Sequence, residues 1–87
     1  MSIKDLLSDL ELKEEQANEA EARYDADPEN EELEQAFDIA YKREFEAMQE
    51  LIKGIVKISD GKISPVIARI MVMTKREKLH ALCAKLA

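Results

Sequence analysis

The sequence predicts an all-α protein built as an antiparallel helical hairpin with a C-terminal helical tail. Three observations carry this expectation. Apolar residues recur at alternating spacings of three and four. The 87 residues include only 2 Gly and 2 Pro, and all of these but Gly54 fall at candidate corners. Although 37% of the residues are charged, which alone would suit disorder, 46% are hydrophobic and sit at helical spacing. The tail makes a three-helix bundle, or a four-helix one if it breaks, and dimerisation completes it.

Ser2, with Asp5 three residues on, reads as an N-cap. Ile3, Leu6, Leu10, Lys13, Ala17, Ala20 and Tyr24 then form a heptad-like seam, so the first helix is expected over 3–24. The seam starts with leucines and continues with alanines, so it grips firmly at its start and loosely toward its end. Asp27 is the expected cap of the next helix and Pro28 its first residue, a position where a missing N–H costs nothing. This helix has no breaker until about residue 59 and spans 29–59. It carries two apolar stripes, one through Leu33, Phe37, Met48, Leu51 and Ile55, the other through Tyr41, Phe45, Ile52 and Val56. Two stripes imply two packing partners, and the stretch from Phe45 to Ile58 is expected to be the most buried. Gly54 marks a close helix contact, because in mid-helix it costs about 1 kcal/mol relative to Ala.

Asp60 and Gly61 supply the second corner, with Gly61 suited to a left-handed C-cap. Ser64 and Pro65 open the tail over 65–86. Val66, Ile67, Ile70, Met71 and Met73 make its first segment apolar nearly all round, so burial on most sides is expected. Thr74 with Glu77 fits a capping box ahead of Leu79, Leu82, Cys83 and Leu86, which leaves open whether the tail is one helix or two separated near Thr74. The expected core is Leu6, Leu10, Phe37, Phe45, Met48, Ile52, Ile55, Ile67, Ile70, Leu79 and Leu82.

Residues 1–87 are one helical domain of a size that buries only roughly 60 to 65% of its unfolded surface. A second copy would add burial, hence the expected homodimer. Cys83 is the only cysteine and cannot form an internal disulfide; with no secretory leader pattern, a reducing, cytoplasmic setting is expected. The longest apolar stretch, 66–73, is interrupted by Arg69 and is far short of the ~20 residues that span a bilayer.

Chemical motifs fail on spacing. Asp25, Asp27 and Glu29 alternate like the start of a calcium loop, but Asn30 and Ala36 stand where Gly and a bidentate Glu are needed. His80 and Cys83, three apart, are at most half of a zinc site. Cys83 lies among Leu82, Ala84 and Leu86, surroundings that raise a thiol pKa instead of activating it. Two isolated glycines cannot cradle a phosphate. No catalytic residue, cofactor, metal or small-molecule substrate is therefore expected.

Charge is sorted along the chain: 5 Lys/Arg against 17 Asp/Glu from Met1 to Glu50, then 6 against 1 from Gly61 onward. That polarity points to contact with macromolecules. The expected function is a small non-enzymatic interaction module, an adaptor or regulator working through helical faces, of a kind common among phage and plasmid accessory proteins. Its partners are itself and another protein. The residues expected to meet a partner are Tyr24, Glu31 and Glu34 at the hairpin's soft end and Lys75, Arg76 and Lys78 on the tail. Two alternatives stand beside it. The basic tail could bind nucleic-acid phosphates, although no aromatic residue follows Ile63 for base stacking. The acidic surface could act as a DNA mimic of the antitoxin type.

Overall fold

The computed structural model describes the backbone of residues 2–86 and side chains through Lys85. Among these residues the chain is all-helical, with four helices and no strand: α1 (Ile3–Ala26), α2 (Glu31–Ile58), α3 (Pro65–Thr74) and α4 (Arg76–Leu86). Helices α1 and α2 pack along each other, α3 packs on α2, and α4 contacts both α3 and α1. The molecule measures 47 × 22 × 20 Å. Its radius of gyration of 14.9 Å exceeds the ~12 Å of a compact chain this long.

Local chemistry sets the helix ends. The Ser2 hydroxyl accepts from Asp5 N–H at 3.1 Å. At the hairpin turn the cap is Asn30, not Asp27. The Asn30 amide oxygen accepts from Glu32 and Leu33 N–H, while Asp27 accepts from the Asn30 side chain at 3.3 Å. Pro28 therefore lies in the turn, and α1 continues past residue 24. After α2, Asp60 N–H donates to Lys57 and Gly61 N–H to Val56, a paired C-terminal closure that requires left-handed backbone. Gly61 adopts it (φ 80), and so does Asp60 (φ 54). The tail is two helices. Thr74 does not cap α4, because its hydroxyl donates back to the Ile70 carbonyl at 2.9 Å.

One cluster joins Ile3, Leu7 and Leu10 of α1, Ala47, Leu51, Ile52 and Ile55 of α2, Ala68 and Val72 of α3, and Leu79 and Cys83 of α4. Leu6 and Met48 are half-buried against it. A Cβ on Gly54 would lie 2.9 Å from Leu6 Cδ1 and 3.0 Å from Ile3 Cδ1, so the glycine lets α1 and α2 close on each other. Five residues of the expected core are outside it, and three of these are open to solvent: Phe45, Ile67 and Ile70 are 50%, 50% and 43% exposed. Phe37 and Leu82 are only half-buried. Helix α3 buries Ala68 and Val72 alone and leaves Val66 and Met73 in solvent, so the expectation of burial on most sides fails. The side chain of Leu86 lies outside the described residues.

Between Ala17 and Ala47 no residue is buried. Packing is therefore one-ended. The α3–α4 corner reaches Glu14, and beyond it α1 and α2 continue as a two-helix arm with no third element on it.

Candidate functional site

The arm end is built by the turn at Asp27–Asn30, which sets the last turn of α1 beside the first turns of α2. Tyr24 meets Phe37 with ring centroids 6.0 Å apart, and Phe37 meets Tyr41 edge-on at 6.4 Å, separations at which ring quadrupoles attract. An open groove of about 610 Å³ runs over these rings, flanked by Glu31, Glu34, Gln35 and Asp38. Three of the expected contact residues, Tyr24, Glu31 and Glu34, thus share one groove. Tyr24 is half-buried, and both glutamates are exposed. Phe37 and Tyr41 complete the wall. Both lie on the apolar stripes of α2, and the turn geometry brings Phe37 against Tyr24, with Tyr41 against Phe37 in turn.

The three tail residues part company. Lys75 and Lys78 are exposed. Arg76 instead pins the corner: its Nη1 and Nη2 donate to the two Glu14 carboxylate oxygens at 2.7 and 3.2 Å, and its Nε donates to the Val72 carbonyl at 2.9 Å. The fork matches a carboxylate bidentately. It also satisfies the end of α3, so one side chain ties α1, α3 and α4. The hydrogen bond to Glu14 pushes the Arg76 pKa above its ordinary value. Glu11 is second in line, 3.9 Å from Arg76 Nη1 and 3.3 Å from His80 Nε2.

Glu44 stands near the same cluster, and its carboxyl pKa is raised, first by burial and then by Glu14 and Glu21, with Arg76 opposing. A raised folded pKa means that the folded state binds the proton more tightly than the unfolded chain. Stability is then lost as pH rises through that raised value. Glu44→Gln is expected to raise the melting temperature slightly at pH 7, by less than about 4 °C. In acid, where the wild-type carboxyl is already protonated, the gain should vanish; an equal gain at both pH values in thermal melts would show that charge is not its cause.

Cys83 is buried, and burial pushes its thiol pKa up against the pull of Lys4. His80 and Cys83 border a cleft with Lys4, Leu7, Ser8 and Ala84. Among the described residues, no three His, Cys, Asp or Glu side chains are placed to share a metal ion, and no helix is long and apolar enough to cross a membrane. The chain matches no protein-family model, no curated protein and no solved structure.

Proposed function

We propose that this chain is a small non-enzymatic interaction module, an adaptor or regulator, that engages another protein through the bare arm of its hairpin. On this reading the molecule is a homodimer whose second copy completes the helical bundle, and its setting is the reducing cytoplasm, which suits a single buried thiol. The observation behind the proposal is the arm itself. From 18 to 46 it holds Tyr24, Leu33, Phe37, Ile39, Tyr41 and Phe45, yet buries none of them. Apolar side chains gain about 1.5–3 kcal/mol each on full burial, so a surface that leaves six of them half or fully open favours an occupant. The flanking carboxylates select for a basic one.

Nucleic-acid binding by the tail has less support. Arg76 is already committed to Glu14, which takes one of the tail's two planar guanidinium forks, the other being Arg69, away from phosphate. The test is capture from a host lysate on the tagged protein, with and without nuclease, beside a Tyr24→Ser/Glu34→Lys variant. A protein retained through nuclease by the parent and lost by the variant is the expected result. Equal retention by both, or retention that nuclease abolishes, would remove the arm from the working surface.

A further inference from the structure

Resting on the dimeric reading above, we infer how the two copies join: α3 of each copy lies on the open Tyr41–Phe45 face of the other's arm, around a two-fold axis. Along α2, Glu34, Asp38, Tyr41, Phe45, Ile52 and Val56 recur at helical spacing and form one line. In the packed half this line is covered: Ile52 is buried, and Val56 packs against the core that includes Ala68 and Val72 of α3. In the arm it is open, with Tyr41 58% and Phe45 50% exposed. Helix α3 thus ends as a step beside a vacant continuation of its own seat.

The complement is the outer face of α3. Val66, Ile70 and Met73, spaced by four and three, point away from Ala68 and Val72 and are 67%, 43% and 59% exposed. This ten-residue helix packs on α2 and meets α4, and its apolar outer face has room for a further neighbour. Placing the copies antiparallel sets each α3 between its own α2 and the partner's arm. The two α3 helices then share one middle layer, end to end.

Charge selects this pairing over the packing of α3 against its own copy. Arg69 borders the α3 stripe and Lys75 ends it, and neither is in an ion pair among the described residues. Stripe against stripe would bring these cations together, whereas the arm offers them Glu34, and Asp38 in competition with Lys42 3.0 Å away. Opposite potentials fix register, and like charges reject it. Area agrees. A compact monomer of 9.9 kDa exposes about 5,200 Å², but this chain exposes 6299 Å². The excess is comparable to the roughly 800 Å² that each partner buries in a standard interface.

Sedimentation velocity on the full chain, on Phe45→Lys, on Ile70→Asp and on their equimolar mixture tests the arrangement. Wild type should be a dimer, and each variant should associate at least about tenfold more weakly, because each places a charge in an apolar contact. The mixture should regain the dimer, since one of its two contacts is wild type and the other pairs Asp with Lys. A monomeric wild type, a Phe45→Lys variant that still dimerises, or a mixture that stays monomeric would each overturn the inference. All substituted positions are exposed, and Val66→Asp serves as a second α3 variant if circular dichroism shows helix loss. Capture of a protein partner by a monomeric chain would leave the interaction-module reading standing while this pairing failed.

Discussion

Ile55→Asp is expected to abolish cooperative thermal unfolding. Ile55 is 0% exposed and lies where α1, α2 and the tail share one cluster. The substitution removes the branched side chain and leaves a carboxylate with no cation in the core, since the described core contains no buried polar group. Truncation alone would cost about 2–5 kcal/mol. An unpaired buried charge adds several more unless the group takes up a proton. Small domains are stable by only about 5–15 kcal/mol, so the loss is comparable to the whole. Circular dichroism should show a broad, non-sigmoidal melt. A melt unchanged from wild type would place Ile55 in solvent and overturn the packed half of the fold.

Arg76→Ala should destabilise the chain by about 2 kcal/mol, the scale of a charge-assisted hydrogen bond, reduced in part because the arginine side chain is 28% exposed. The substitution also strands Glu14, Glu11 and Glu44 together without their cation and frees the Val72 carbonyl. The loss should be non-additive with Glu14→Gln: once the carboxylate is gone, removing the arginine should cost much less. Equal costs in the two backgrounds, measured by urea titration, would dissolve the coupling. The direction is notable because Arg76 opens α4, where a cation opposes the helix dipole. The contact with α1 outweighs that local penalty.

The all-helical character was legible because periodicity records which residues share a face. Leu10, Ile52, Ile55 and Leu79 could be assigned to the core on that basis, and a mid-helix glycine could be read as a close approach, since nothing else offsets its cost at position 54. What periodicity cannot record is whether a face has a neighbour. Phe45, Ile67 and Ile70 satisfy the pattern of core residues as well as Ile55 does, but among the described residues no element covers them, and they stay 50%, 50% and 43% exposed. Small residues are misread in the opposite direction. Ala47 and Ala68 carry little hydrophobic signal, yet they are buried because helices approach where side chains are short. At the hairpin turn Asp27 and Asn30 are both competent caps, and Pro28 favours the first. The choice falls on Asn30, whose oxygen reaches two N–H groups at once.

At the candidate site, Tyr24, Glu31 and Glu34 could be singled out from the weakening of the seam and the density of carboxylates. Their meeting with Phe37 and Tyr41 depends on the length of the turn, which shifts when the cap moves from 27 to 30. For Arg76 the sorted charge of the sequence admits both a partner outside the chain and a carboxylate of the acidic helices within it. The partner of Arg76, Glu14, is 62 positions away in sequence, and no local pattern announces a pairing over that distance.

The one-ended packing gives the chain two levels of local stability. Backbone amides around Leu51, Ile55 and Leu79 can exchange with solvent only when the whole structure opens. Those around Tyr24, Asn30 and Phe37 need only the arm to part, an event that breaks no buried contact. A partner that seats on the arm would then be felt first as slowed hydrogen exchange at the hairpin end, with the packed end unchanged. The arm is the part of the molecule whose order a ligand can still increase.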